Sequence, residues 1–251
     1  MKTLKHKFRG NSSGQLLVVA ALAIAMLIAS ASIYVYELGV EQNSQGSLQT
    51  ANFIPVIKQC TRNALISSLA NISNGGSRTV LSANLEELAE TLRSLKQQAI
   101  FQLAFSLHND SNYESGVWLL WSAEGFGVSS VYTNFELSVQ GAENLELNYA
   151  LNITTTVLVE GFYIGNGDEK NVTLMCRIYN EGNPAQAKNI SIFYELDEAW
   201  VPANPLVLDF GNGTYIISFT ALITSNNVHI SAQVTDLRGI FSYANATCIK
   251  A

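Results

Sequence analysis

The chain has 251 residues, of which 48% are hydrophobic and only 14% are charged. That composition excludes a disordered, highly charged chain, a collagen-like repeat and a disulfide-dense miniprotein. Lys plus Arg number 14 and Asp plus Glu 20, a net charge of −6; Lys2, Lys5, Lys7 and Arg9 all precede residue 16, so the remainder carries 10 basic and 20 acidic residues, or −10. An acidic body argues against nucleic-acid binding.

Residues 16–36 read LLVVAALAIAMLIASASIYVY, 21 residues without a charge. At a helical rise of about 1.5 Å per residue they span roughly 30 Å, the thickness of a bilayer core. Tyr34 and Tyr36 fall at one end, where aromatic rings favour the interface. Cations precede the run, and Glu37 and Glu41 follow it, so the positive-inside rule places the N-terminus in the cytoplasm and the rest outside. The apolar run is longer than a secretory h-region, although Ala29-Ser30-Ala31 has the small residues of a cleavage site. A buried core helix is the third alternative, and the run has no polar face to suit it.

Just before the run stand Arg9-Gly10-Asn11-Ser12-Ser13-Gly14-Gln15-Leu16. This stretch resembles the archaeal class III signal peptide of type IV pilin-like proteins. The resemblance implies processing at Arg9, Gly10 and Asn11, with the cut after Gly10. Gln15 would then be the fifth mature residue, where the family has an acid. The amide keeps the shape but loses the charge that assists pilin assembly. The resemblance covers only about 30 residues of the chain.

Residues 39–51 are polar and Gly/Ser/Gln-rich, and read as a stalk or as a polar continuation of the anchor helix. From Phe53 to Ile72, the positions Phe53, Ile57, Cys60, Leu65, Leu69 and Ile72 follow helical spacing, and Asn74-Gly75-Gly76 stops the helix. A second helix is predicted with Asn84 as its cap, Glu87 three residues on, and a stripe of Leu85, Leu88, Leu92, Leu95 and Ala99. The two helices should pack as a hairpin, with their stripes as core.

Past His108 the period changes. Val117-Trp118-Leu119-Leu120-Trp121 is a short buried run. Val131 to Val139 and Leu145 to Ile153 alternate apolar with polar and are separated by Gly141-Ala142-Glu143-Asn144, the pattern of a β-hairpin. Its apolar face should cover the helices, because a hairpin alone is marginal. From Val157 about seven short strand-like runs follow, among them Leu206–Phe210, with Asn212-Gly213 read as a type I′ turn. This part resembles an immunoglobulin-like sandwich in architecture only, without the Cys…Trp…Cys spacing of antibody domains. Trp200 is read as a loop residue.

Cys176 and Cys248 both fit inward positions, and outside the cell a disulfide between them is expected, the alternative being two separate buried thiols; Cys60 is left over as a buried small hydrophobe. Sequons at Asn71, Asn109, Asn152, Asn171, Asn189, Asn212 and Asn245 are candidate glycosylation sites, with an eighth at Asn11. Alternation alone produces several of them, since residues i and i+2 share a strand face. The sequence has no P-loop, no G-x-S-x-G, no HExxH and no CxxC. His6, His108 and His229 have no metal-ligand spacing. Asp168-Glu169 and Asp197-Glu198 read as solvated turns rather than calcium sites.

The expected fold class is membrane-anchored α+β: an N-terminal transmembrane helix, a helical hairpin packed on an antiparallel β-hairpin or sheet, and a C-terminal immunoglobulin-like β-sandwich. The expected organisation is a basic tail or leader at 1–15, a span at 16–36, a stalk at 37–52, a helix–sheet domain at 53–156 and a sandwich at 157–251. The expected function is that of a non-enzymatic, single-pass cell-surface glycoprotein, structural or adhesive, pilin-like or anchored. The alternative is a membrane-anchored ligand-binding or sensor ectodomain working with a membrane partner. Expected partners are the membrane and either further copies or other surface proteins. Neither cofactor, metal, nucleic acid nor small-molecule substrate is implied.

Overall fold

A computed structural model describes residues 48–94, 100–140, 144–165 and 167–251. Helix α1 (Leu48–Ser73) buries Ile57, Leu65, Leu69 and Ile72 on one face. It ends where Gly75 takes a φ of +95°, a conformation that suits glycine alone among common residues. Helix α2 (Thr79–Ser94) buries Leu81, Leu85, Ala89 and Leu92. Its start lies five residues before the predicted cap: Ser77 Oγ accepts from the Thr79 N–H at 3.3 Å. Asn84 is instead inside the helix, and its Nδ2 donates to Ser68 Oγ at 2.9 Å, tying α2 to α1.

Both helices contribute to a core shared with β1 (Ile100–Leu107), β2 (Val117–Ala123), β3 (Phe126–Gln140) and the first half of β4 (Leu145–Ile164). β3 is central: β1 and β2 pair with it, and β4 runs antiparallel along it from Val139↔Leu145 to Phe126↔Leu158. Phe101 and Leu103 of β1, Val131, Phe135, Leu137 and Val139 of β3, and Ile153 of β4 are among the buried residues of this core. His108 directly follows the strand β1.

The second half of β4 enters a different packing. It pairs with β5 (Glu169–Asn180), which pairs with β10 (Thr214–Leu222), which pairs with β9 (Leu206–Asp209). The remaining order is β8 (Ala199–Pro202), β7 (Ala187–Leu196), β11 (Val228–Asp236) and β12 (Phe241–Lys250), with β6 (Asn183–Pro184) a short addition to β5. Trp200 is therefore a strand residue. Val157, Leu174, Ile178, Ile217, Ile192, Ile230 and Val234 belong to one buried cluster, so the β4-β5-β10-β9 and β8-β7-β11-β12 groups share a core. They join through a short parallel pairing, Ile249↔Phe162 and Lys250↔Tyr163. The Asn212-Gly213 expectation is corrected: Gly211 and Gly213 take positive φ while Asn212 does not, so the connection is not a two-residue I′ turn.

β4 crosses residue 156 without a break. The two cores nevertheless meet there, one reaching Ile153 and the other beginning at Val157. The tip between β2 and β3 bridges them. Gly125 donates to Asn245 O at 2.6 Å and accepts from Val159 N at 2.9 Å, so it bonds to both β12 and β4.

These findings correct the expected fold class. The described residues form one large mixed sheet of twelve strands with two helices, not a membrane-anchored α+β arrangement. Among the described residues no helix is long and apolar enough to cross a membrane. The single-pass, membrane-anchored assignment, with a cytoplasmic N-terminus and exterior C-terminal domains, is corrected on that finding. The predicted span at 16–36, the tail at 1–15 and the processing residues Arg9, Gly10 and Asn11 lie outside the described residues.

Candidate interaction surface

Several ionisable residues are drawn into structural roles. Arg238 stands at the turn between β11 and β12. Its Nε donates to Asp236 Oδ2 at 2.8 Å, one terminal nitrogen to Glu181 Oε1 at 2.6 Å, and the other to Thr154 O and Thr155 Oγ1 at 3.0 Å. Asp236 is fully buried, and its Oδ1 accepts from the N–H groups of Arg238 and Ile240. Glu181 also takes Arg62 of α1 at 3.2 Å and the Thr154 N–H at 3.0 Å. Every charge here is matched by hydrogen bonds, which a buried ion pair requires. The cluster joins α1, β4, the β5–β6 turn and the β11–β12 turn. Phe241 N donating to Ser73 Oγ at 3.0 Å reinforces the same junction.

Lys170 is also buried. Its Nζ donates to Ile223 O at 2.9 Å and to Ser225 O, and stands 5.5 Å from the centre of the Tyr163 ring. Tyr163 OH donates to Asn226 O at 2.7 Å. The two side chains therefore hold the β10–β11 connection by its carbonyls. Sequence reasoning missed both clusters: nothing local marks Asp236 or Lys170 as buried.

Among the described residues no group of three or more His, Cys, Asp or Glu could hold a metal ion. His108 Nε2 lies 3.1 Å from Asp110 Oδ2, and His229 Nδ1 lies 3.0 Å from Thr247 Oγ1. The Asn112 and Tyr113 N–H groups bond to Asp110 Oδ1 at 2.7 and 2.9 Å. These bonds, the Tyr113 one foremost, hold the Asp110 carboxyl below its ordinary range. This is a folded turn with its donors satisfied.

The structure holds Cys60, Cys176 and Cys248 as free thiols, in place of the expected Cys176–Cys248 bridge. Register supplies the reason. Cys176 faces Val159 across the β4–β5 ladder. Cys248 lies over Gly161, two residues further along β4, with Leu174 as its neighbour there: a Cβ on Gly161 would stand 2.6 Å from both Cys248 Sγ and Leu174 Cδ2. β4 lies between β5 and β12 in the strand order. Two interstrand steps of about 4.8 Å exceed the roughly 7 Å limit between bridged Cα atoms. Burial pushes each thiol up to about 12.

Six sequon asparagines, Asn71, Asn109, Asn152, Asn171, Asn189 and Asn212, are exposed. Asn245 is half-buried beside Gly125, and its Oδ1 is sealed from solvent without a hydrogen-bond partner. Asn152 Oδ1 accepts from Ser130 and Thr154, and Asn171 Oδ1 from Thr220, so outward polar pairing accounts for those side chains.

The outer face of β4-β5-β10-β9 is where apolar surface is left open. Register places Phe162, Thr173, Ser218 and Leu206 in one row across it, and Glu160, Met175, Ile216 and Leu208 in the next. Phe162, Leu206, Leu208, Leu222 and Ile249 are all exposed, Leu206 by 77% and Leu208 by 57%. Phe210, just past β9, is exposed by 56%. Among the described residues β9 pairs with β10 alone, so its other side is an open sheet edge there. The sequence predicted Leu206–Phe210 as a strand; the run Leu206-Val207-Leu208, apolar on both faces, concealed which side would be covered.

No family model, curated protein or solved structure matches this chain.

Proposed function

We propose that the chain is a structural or adhesive component that acts through protein–protein contact rather than catalysis. The observation that carries this reading is the exposed apolar strip Leu206, Leu208 and Phe210 on that open sheet edge, continued by Phe162, Leu222 and Ile249 on the same sheet. Scattered exposed apolar residues are ordinary, but a contiguous set along an edge strand marks an association surface. The same chain commits Arg238, Glu181, Asp236 and Lys170 to internal bonds, which suits a load-bearing body. Hydroxyl-radical footprinting of the chain in its native setting, compared with the isolated chain, tests the reading. Phe162, Leu206, Leu208 and Leu222 should be protected in the native setting. Equal labelling in both states would sink it.

A further inference from the structure

We infer that β9 is the self-association strand of this protein, and that two copies pair β9 to β9 antiparallel about a two-fold axis through Leu208. The inference rests on the interaction reading above and names the partner as a second copy. The bond from Phe210 N to Thr214 O at 3.1 Å fixes which β9 groups face β10. In an antiparallel ladder hydrogen-bonded pairs alternate with non-bonded ones. Leu208↔Ile216 and Leu206↔Ser218 are therefore bonded pairs, while Val207 and Asp209 direct their N–H and C=O groups to the open edge.

A partner must match that pattern, and this strand matches itself. For both copies to keep the exposed leucines on one face, the two-fold axis must pass through a residue, because side chains alternate along a strand. With the axis at Leu208, Val207 of one copy opposes Asp209 of the other, and the reverse. Each such pair exchanges two hydrogen bonds, and every outward backbone group of Val207 and Asp209 is then satisfied. Leu208 meets Leu208 of the second copy on the outer face, and Leu206 meets Phe210. Moving the axis to Val207 sets Asp209 opposite Pro205, which has no N–H to give. The axis at Leu208 is thus the better matched register.

The strand at the other end of the order shows the contrast. β8 carries Pro202 at its end and follows Asp197-Glu198, both features that blunt an edge. β9 carries no lysine and no internal proline, and its one charge, Asp209, accepts from Gly211 N at 2.7 Å.

The test uses the full chain carrying Cys60→Ser, since Cys176 and Cys248 are buried. Residues facing themselves across a non-bonded pair have Cα atoms about 4.5 Å apart, within disulfide reach. Leu208→Cys should form a covalent dimer on mild oxidation, and Val207→Cys should not. In sedimentation equilibrium without added cysteines, Leu208→Lys should weaken self-association at least tenfold by placing like charges at the axis. Val207→Pro should do the same by removing a donor the isolated fold leaves unused, with far-UV circular dichroism unchanged for both. A parent chain that stays monomeric overturns the inference, as does cross-linking at Val207 in preference to Leu208. Footprint protection of the outer face together with a monomeric chain would remove the second copy while leaving the interaction reading in place.

Discussion

A Cβ built on Gly127 of β3 would stand 2.1 Å from the carbonyl oxygen of Tyr243 in β12. The obstacle is backbone, so no side-chain rotation relieves it. The close approach is part of the seam where the β2–β3 tip meets β12, beside Trp121, Phe241 and Tyr243, whose rings pack together. Gly127→Ala should therefore destabilise the fold by about 3 kcal/mol, the upper range for overpacking. Urea unfolding should show the loss, with the exposed-site change Asn134→Ala leaving the midpoint in place.

At Gly161 the obstacles are side chains, Cys248 Sγ and Leu174 Cδ2, and the expectation differs. Gly161→Ala should also destabilise, but Cys248→Ala in the same chain should recover part of the loss. A double-mutant cycle measures the coupling, expected at about 0.5–3 kcal/mol for groups in contact. Strict additivity would show that the two sites do not share space.

Arg238→Ala strips the buried Asp236 carboxylate of its guanidinium partner. The expected cost is about 3–5 kcal/mol, that of leaving a buried charge uncompensated. Arg62→Ala should cost far less, since that pair with Glu181 is substantially exposed. Chemical denaturation of the two variants side by side gives the ranking. Equal effects would mean that Asp236 is reached by water once Arg238 is gone.

The thiols give a pH prediction. In the unfolded chain a thiol ionises near about 8.5. Folding raises Cys176 and Cys248 to about 12 by desolvation, so the folded state favours the neutral form. Their contribution is fully present below the unfolded value and is lost as pH rises toward the folded one. The thermal midpoint should fall between pH 9 and about 12, and replacing both cysteines by Ala should flatten that fall. Under native conditions at pH 8, iodoacetamide should modify Cys60, which is half-buried, well ahead of the other two.

Where the chain meets an oligosaccharyl transferase, peptide mass spectrometry should find Asn245 unmodified, because its side chain is half-buried in the folded seam with Oδ1 sealed from solvent. The six exposed sequon asparagines define where glycans can be carried. Glycan on Asn245 would place modification before folding of that seam.

Alternation made part of the sheet legible. The runs Val131 to Val139 and Leu145 to Ile153 lie opposite each other in the ladder, from Val139↔Leu145 to Val131↔Ile153. The same signal did not carry through Thr154-Thr155-Thr156, and the expected domains were divided after residue 156, inside what is one strand. Thr155 is in fact buried, with its hydroxyl bonded to Asp236 Oδ2 at 2.9 Å, so a distant partner makes a polar residue acceptable in the interior. That partner lies 81 positions away, beyond any local pattern. Ile100–Leu107 joined β3 for a similar reason, since only pairing decides it. The outer face was illegible because a strand's apolar residues do not announce which neighbour will cover them. The disulfide expectation rested on inward phase alone; phase selects the side of a strand but not the interval between strands.

β4 belongs to both cores along its 20 residues. A pull applied along that strand would load its flanking ladders in shear, sharing the force among many hydrogen bonds at once instead of peeling them apart in turn. Gly125, bonded to Val159 of β4 on one side and Asn245 of β12 on the other, pins this tie-bar just past the junction of the two cores. Tension entering at one core would thus arrive at the other with little give between them.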